Sequence, residues 1–221
     1  MTKKMKKTET KKTVPTIIAE AIALKIAKGI LSPNEHLVET AIAEEFNTSR
    51  APVREALLML EKDRLVTRSP HRGFVVKKFS REEIHQLYDA TFRIEEIAMQ
   101  KAVQRVTEDD LKELEEILNS QKLAIERQDL VEYYDLNEAF HTRILDIAGN
   151  QFLKEMHQSL RRSSRPLSLL NMGQGKNMNL SYEEHVKQFM ALKNRDAEAG
   201  IRAIREQESR SIRTLDIFYL D

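Results

Sequence analysis

The chain lacks cysteine and any long apolar run. Without cysteine, it can form neither a disulfide framework nor a thiolate metal site. Because no apolar stretch approaches the roughly 18 residues of a membrane span, we expect no membrane partner. The lysine-rich start is followed by neither an apolar signal core nor a small-residue cleavage site, so we expect a cytoplasmic protein without a secretory signal. The 221 residues have room for one large domain or two modest ones.

Charge is distributed unevenly along the chain. Residues 1–78 contain 16 lysines and arginines against 9 acidic residues, a net charge of +7. Residues 79–221 contain 20 against 26, a net charge of −6. This asymmetry predicts that the first part meets a polyanion and the second does not. Residues 1–13, which include six lysines, are expected to form a disordered basic tail near phosphates.

The stretch from Ser49 to Glu61 has the pattern of a DNA-recognition helix. Its apolar residues follow the i, i+3, i+4, i+7 spacing of one buried helical face, namely Val53, Ala56, Leu57 and Leu60. Arg50 and Arg54 are four apart and project from the other side, where arginine can pair with guanine or phosphate in the major groove. Ser49 is expected to cap the helix start. Taken alone, the pattern also suits an ordinary amphipathic surface helix.

The flanking sequence favours the DNA-binding interpretation. A helix is predicted from Pro15 to about Gly29 and a second from Thr40 to Phe46, and Asn47-Thr48 then links tightly to the arginine-bearing helix. This order is that of a helix-turn-helix. Two strands, Leu65–Arg68 and Gly73–Val76, are predicted to follow and to form a hairpin, which at this position would be a wing with His71 and Arg72 at its tip.

The rest of the chain is predicted to be helical. Ser80 is placed to cap the first helix after a boundary near Phe79. The expected helices are Arg81–Gln104, Glu108–Arg127, Leu130–Ala148, Gln151–Leu170, Tyr182–Asn194 and Ala197–Phe218. The glycine- and asparagine-rich stretch from Asn171 to Ser181 is expected to be a mobile loop. The predicted fold is therefore mainly α, with a winged helix-turn-helix over residues 14–78 and an all-helical bundle over residues 79–221.

The segments EEFNTSRAPVREALLMLEKDRLV and HRGFVV resemble the winged helix-turn-helix of GntR-type bacterial transcription regulators. The resemblance implies that Ser49, Arg50 and Arg54 contact operator DNA and that Gly73 fixes the wing. Thr40 stands where many relatives have a further DNA-contacting arginine. The full set of expected DNA-binding residues is Thr48, Ser49, Arg50, Ala51, Arg54, His71, Arg72 and Gly73.

The segments AFHTRILDIAGNQFL and YEEHVKQFMALKNRDAEAGIRAI resemble the FCD effector domain of the FadR-like GntR subgroup. Many members hold a divalent metal with one acid and three histidines, and the matching positions here are Asn137, His141, His185 and Gln207. Because amides are neutral and weaker ligands, we expect either a weakly bound metal on His141 and His185, or amides that bind an organic ligand directly. No cofactor is certain.

The first bundle helix departs from the family as well. Relatives often carry an arginine four residues before a glutamate, where it can meet an effector carboxylate. Here the glutamate is Glu95, but the arginine position is Thr91. Arg161, Arg162 and Arg165 could compensate, although we favour an exposed charge run. The expected effector-binding residues are Thr91, Glu95, Asn137, His141, His185 and Gln207.

These features predict a homodimeric, ligand-responsive transcriptional regulator that binds a pseudo-palindromic DNA operator and a small-molecule effector. One alternative is a metal-assisted hydrolase using His141 and His185. It lacks a nucleophile motif, a carboxylate base beside the histidines and a phosphate-cradling glycine loop. The other alternative, a non-specific DNA-binding protein, leaves the helical part unexplained.

Overall fold

The computed structural model describes residues 13–69 and 73–218. Its contacts divide the chain into two compact units, Met1–Lys77 and Lys78–Asp221. The predicted tail lies outside the described residues except for Thr13, which is the N-cap of the first helix. In the described part of the chain, no helix combines the length and apolarity of a membrane-spanning segment.

The N-terminal unit consists of three helices and a small sheet. The helices are α1 (Val14–Ala27), α2 (Glu39–Glu45) and α3 (Arg50–Lys62), and the strands are β1 (His36–Leu37), β2 (Val66–Ser69) and β3 (Gly73–Val76). The sheet is antiparallel with strand order β1-β3-β2. Strand β3 therefore pairs with β1 as well as with β2, its partner in the predicted hairpin.

Helix α3 is held by the apolar face that its sequence spacing predicts. Val53, Ala56 and Leu57 are fully buried, and Leu60 is nearly so. They pack against the buried residues of α1, including Ile18, in the core of this unit. Ser49 occupies the N-cap position, but its side chain makes no capping hydrogen bond, so the capping expectation is wrong. The link from α2 turns through Asn47, whose φ of +47° lies in the left-handed region that asparagine tolerates.

The C-terminal unit is helical throughout its described residues. Its helices are α4 (Arg81–Arg105), α5 (Glu108–Glu126), α6 (Leu130–Ala148), α7 (Gln151–Met172), α8 (Asn177–Asn194) and α9 (Ala197–Phe218). Ser80 and Glu83 form a capping box at the start of α4, so the predicted cap of that helix is confirmed. Helix α6 ends at Gly149, whose φ of +65° is the left-handed C-cap conformation that glycine favours. The predicted fold class, a winged helix-turn-helix followed by an all-helical domain, is confirmed.

The expected mobile loop from Asn171 to Ser181 is wrong. Helix α7 continues to Met172 and α8 begins at Asn177, so the connection is only a short turn. Asn171 and Asn177 are buried, and Asn177 Nδ2 donates to the backbone oxygen of Asn171 at 2.8 Å. Asn171 Nδ2 in turn donates to the Ser211 carbonyl on α9 at 3.2 Å. The asparagines that suggested a loop therefore bond the ends of α7 and α8 to the bundle.

Candidate functional site

The solvent-facing side of α3 carries Arg50 and Arg54, the two arginines predicted to contact DNA. Arg50 and Arg54 lie one turn apart and are exposed, with 66% of the Arg50 side chain accessible. Arg50 Nη2 donates to Glu39 Oε2 of α2 at 2.9 Å. Because exposed ion pairs contribute only about 0–1 kcal/mol, this contact can be exchanged for a phosphate oxygen at little cost. Beside the arginines lie Thr48, which is half-buried, and Ser49 and Ala51, which are exposed.

The hairpin of β2 and β3 provides the wing position. Ser69 pairs with Gly73 at the base of the turn. His71 and Arg72, predicted at the wing tip, lie outside the described residues. Gly73 has a φ of +69°, and a Cβ added there would come only within 3.8 Å of His36 Nε2. Glycine is therefore required at this position by the backbone conformation and not by a lack of space.

In the helical unit, four of the predicted effector-binding residues meet in the core. Asn137 and His141 lie one turn apart on α6, His185 projects from α8 and Gln207 from α9, and all four are buried. The Nε2 atoms of His141 and His185 are 3.3 Å apart. Asn137 Nδ2 lies 3.2 Å and Gln207 Nε2 3.5 Å from His185 Nε2. Asn137, His141 and Gln207 thus converge on one ring nitrogen of His185.

Of the other two predicted effector-binding residues, Glu95 lies beside the cluster, whereas Thr91 bonds within its own helix. Glu95 is buried beside the cluster, with Oε2 at 3.5 Å from His141 Nδ1. The expectation that no carboxylate lies beside the histidines is therefore wrong. Thr91 is buried too, but its Oγ1 donates to the Leu87 carbonyl of its own helix at 2.7 Å. Thr91 is also absent from the lining of the described cavities beside the cluster. The structure therefore brings Glu95 to the cluster and leaves Thr91 as a helix-internal contact.

Three further residues, which the sequence motifs did not place here, contact this cluster. His157 Nε2 lies 2.8 Å from Glu95 Oε1, and Gln121 Oε1 lies 3.0 Å from His185 Nδ1. Arg161 donates from Nη2 to Asn137 Oδ1 at 3.0 Å. Interpreting Arg161 as part of an exposed charge run is wrong, because it is only 7% exposed.

A signal for two of these residues was present in the sequence. His157 and Arg161 are four residues apart on α7, and Ser164 and Ser168 follow at intervals of three and four residues, the spacing of one helical face. All four are buried, so they form one polar stripe facing the core. Because the stripe is polar, the spacing of apolar residues alone does not reveal it.

Burial sets the charge state of the imidazoles. The pKa of His141 is lowered to about 4 by burial, against the opposing effect of Glu95. Burial also lowers the pKa of His185 well below its usual value, and the neighbouring His141, Arg161 and Arg210 lower it further. Burial alone would raise the pKa of Glu95, but His141 and His157 outweigh it and lower that pKa to about 2. At neutral pH, His141 and His185 are therefore uncharged and Glu95 is ionised.

The cluster fits a metal ion only in part. Two nitrogen ligands of a tetrahedral zinc ion lie about 3.3 Å apart, and the two Nε2 atoms have that 3.3 Å separation. The amides do not complete the shell, because Asn137 Oδ1 accepts from Arg161 and Gln207 Oε1 accepts from Gln188 Nε2 at 3.0 Å. Across residues 13–69 and 73–218, no three histidine or acidic side chains are grouped as ligands of one metal. The residues present therefore do not fit the shell of one acid and three histidines.

A small polar cavity adjoins the cluster. Its volume is about 20 Å³, which is room for about one water molecule. Its polar lining includes Asn137, Arg161, Ser181, Gln207 and Arg210. Arg210 is held by Glu184, with Nε to Oε1 and Nη2 to Oε2 each at 2.7 Å. The cavity therefore joins two guanidinium groups with amide and hydroxyl groups.

Comparison with known proteins matches each unit to a family. A model of the family described as bacterial regulatory proteins, gntR family, matches residues 16–76. A model of the FCD domain matches residues 86–207. The first match spans α1 to β3, including α3, and the second spans the polar cluster between α4 and α9.

Individual relatives support the same assignment. The chain is 29% identical to the HTH-type transcriptional repressor RspR of Escherichia coli (strain K12), over 79% of this chain and 77% of the relative. It is 28% identical to the gluconate operon transcriptional repressor of Bacillus subtilis (strain 168), over 70% of this chain and 63% of the relative. The solved structure of E. coli McbR/YncC has a TM-score of 0.78 at 25% identity, covering 95% of this chain and all of that one.

These matches decide between the classes of protein considered. The families are transcriptional regulators, and the FCD match alone extends over more than half of the chain. The hydrolase alternative is therefore wrong. The chain belongs to the GntR family of bacterial transcriptional regulators, in the FadR-like subgroup with an FCD domain, and it is a DNA-binding regulator and not an enzyme.

Proposed function

We propose that the protein is a cytoplasmic, homodimeric repressor that binds a pseudo-palindromic operator and responds to a small metabolite bound in its helical unit. Two relatives with 28–29% identity are named repressors, which supports repression. Binding of the metabolite changes the operator affinity, because it stabilises one arrangement of the helices over another.

The buried polar cluster is the observation that carries this proposal. Core positions on α6 to α9 are occupied by Asn137, His141, Arg161, His185 and Gln207. Polar and charged groups are costly to bury, and apolar residues of similar volume would often stabilise a bundle equally well or better. A ligand-binding role explains why polar groups occupy the centre of the unit.

The size of the adjoining cavity suggests how binding is transmitted. At about 20 Å³, the cavity is too small for a metabolite. A ligand must therefore move side chains or helices as it enters. Because α4, α6, α7, α8 and α9 all contribute to its lining, that movement shifts five helices together. Coupling of this kind is what a regulator requires of its effector site.

In the N-terminal unit, we assign base and phosphate contacts to the exposed side of α3. Arg50 and Arg54 are placed to enter the major groove, and Thr48, Ser49 and Ala51 lie at the same end of the helix. Recognition helices contact base edges mainly through their N-terminal residues, which supports this assignment. The hairpin of β2 and β3, with Gly73 at its base, would contact the neighbouring backbone or groove, and we assign His71 and Arg72, which lie outside the described residues, to the same interface.

A palindromic operator requires two copies of the chain. We assign their contact to an exposed apolar face of α7 formed by Phe152 and Met156, which lie one turn apart. Phe152 is 79% exposed and Met156 56% exposed. Large apolar side chains that project from one helix face are typical of an interface with a second protein surface. A twofold axis would bring the same face of each copy together.

Operator binding by the purified protein tests the proposed function. We expect the protein to shift DNA taken from upstream of its own and neighbouring genes, in the presence of excess unrelated competitor DNA. The double variant Arg50→Ala/Arg54→Ala should fold normally and lose this binding. A screen of metabolites should then identify one that changes the affinity of the unmodified protein. Equal affinity for every DNA fragment would contradict the proposal and favour non-specific DNA binding.

A further inference from the structure

Arg161 places a permanent positive charge inside the helical unit. Its Nε and Nη2 atoms bond to Glu138, and Nη2 also donates to Asn137 Oδ1 at 3.0 Å. Burial alone would lower its pKa, but Glu138 and Tyr134 raise it, so Arg161 stays charged at any ordinary pH. Nη1 takes part in neither of these contacts, and Arg161 lines the cavity beside the cluster. One amino group of a buried guanidinium therefore remains for a ligand.

The charge of Arg161 also orients the amide of Asn137. A guanidinium has only donors, so Asn137 must present its oxygen to Arg161. Its Nδ2 then points toward His185 Nε2, at 3.2 Å. Reversing the amide would set two donors against each other. The atom facing the imidazoles is therefore a hydrogen-bond donor, where a metal ion would need an oxygen.

Gln207 repeats this arrangement on the other side of His185. Its Oε1 accepts from Gln188 Nε2 at 3.0 Å, and its Nε2 lies 3.5 Å from His185 Nε2. The two amide positions that would have to complete a metal shell thus both direct N–H groups inward. Two neutral imidazoles alone make a weak site for a divalent ion.

We propose that Arg161 takes the electrostatic role of a metal ion in this site, so that the effector is an oxyanion bound directly by the protein without a metal. The oxyanion is a carboxylate or a phosphate, since arginine binds both through paired N–H groups. This inference rests on the proposed effector function of the helical unit, and it names the chemical class of that effector.

The lining of the cavity supports an anion. Arg161 and Arg210 both contribute to it, and none of its described lining residues is acidic. Asn137, Ser181 and Gln207 add side chains that can donate hydrogen bonds. Burial is the main reason that the pKa of His185 is low, but the charges of Arg161 and Arg210 lower it further. Glu138 pairs with Arg161 and Glu184 with Arg210, so an anion would be held by the guanidinium N–H groups at the cavity and not by an excess of positive charge, while the same groups offer no ligand to a divalent cation.

The metal arm of the test begins with the unmodified protein. Purified without chelator, it should hold zinc and nickel well below stoichiometric amounts by elemental analysis, and neither ion should raise its melting temperature. Asn137→Asp/Gln207→His should still bind zinc weakly, because the new carboxylate would pair with Arg161. Adding Arg161→Gln to that pair should free the carboxylate and yield tight, stoichiometric zinc. Chelator-resistant zinc or nickel in the unmodified protein would overturn the inference.

The anion arm uses inorganic phosphate and acetate as probes, each compared with chloride at the same ionic strength. We expect at least one of them to give a saturable rise in melting temperature, and the effective probe identifies phosphate or carboxylate as the preferred group. Arg161→Gln should weaken that binding by about tenfold or more, the effect of losing a charged hydrogen bond. Arg162→Gln is the matched control, because it removes an exposed arginine from the next position on α7, and it should bind like the parent.

Three results of the anion arm would overturn the inference. They are no saturable response to either probe, equal weakening by Arg161→Gln and Arg162→Gln, and full retention of binding by Arg161→Gln. If Arg161→Gln fails to fold, Arg161→Lys keeps the charge but loses the planar fork, and it should still weaken binding of the effective probe. Operator binding separates the two proposals. A protein that binds its operator and holds tight zinc contradicts only the inference, whereas one without operator preference contradicts the proposed function.

Discussion

Replacing Arg54 with alanine tests the assignment of α3 as the recognition helix. Arg54 is exposed and lies one turn after Arg50, on the side opposite the buried Val53, Ala56 and Leu57. Alanine favours helical conformation and leaves that buried face intact. We therefore expect the free energy of unfolding to change by less than about 0.5 kcal/mol.

The effect on DNA binding should be far larger. A good bidentate contact between arginine and a base contributes about 1–3 kcal/mol. A dimer on a palindromic site loses the contact twice, which amounts to about 2–6 kcal/mol. At about 1.4 kcal/mol for each factor of ten, operator affinity should fall between about 30-fold and about 10⁴-fold. The loss should be specific, so binding to unrelated DNA should weaken much less.

Fluorescence anisotropy with labelled operator at fixed salt measures this change. Lys62→Ala is the matched control, because it also removes an exposed basic side chain from α3 but at the last residue of the helix. At a rise of about 1.5 Å per residue, Lys62 lies about 12 Å from Arg54 along the helix. Equal losses in the two variants would show that only net charge matters. Unchanged affinity in Arg54→Ala would remove Arg54 from the interface.

Three further predictions concern the tail, the dimer and the polar cluster. Operator affinity should fall with salt at a log–log slope of about −5 to −9, as expected for about 6–10 neutralised phosphates. Deleting residues 1–12, with their six lysines, should flatten that slope and leave the preferred sequence unchanged; a changed sequence preference would mean that the tail contacts bases. Phe152→Glu should dissociate the dimer in sedimentation experiments. Leu123→Glu is the control, at a residue of α5 that is 54% exposed, and it should leave the dimer intact. A stable Phe152→Glu dimer would place the interface elsewhere. His141 has a pKa of about 4 in the folded protein, against 6.5 in the unfolded chain. As the pH falls, the unfolded chain therefore takes up the proton first, which favours unfolding. The free energy of unfolding should fall by about 2 kcal/mol between pH 7 and pH 5. Urea midpoints at the two pH values measure that loss, and equal midpoints would show that His141 is not buried in its neutral form.

The helices of this protein could be largely predicted from the sequence, because helix formation depends on local spacing and on the residues at helix ends. The buried face of α3 follows directly from the positions of its apolar residues. Helix α6 begins and ends where expected, at Leu130 and Ala148, because Asp129 caps its start and Gly149 ends it. The recognition motif also comes from a continuous stretch, so Arg50 and Arg54 could be assigned without knowledge of the tertiary fold.

The polar cluster depended instead on contacts between distant parts of the chain. Glu95 and His157 are 62 residues apart, and Arg161 bonds to Asn137 from another helix. Whether a polar helical residue faces water or the core depends on the neighbouring helices. A buried polar group needs hydrogen-bond partners, and the spacing of residues along one helix does not reveal partners on another. For that reason Arg161 resembled a surface charge in the sequence. Only the packing of α6 against α7 gave it Asn137 and Glu138 as partners, and these hold its charge inside the unit.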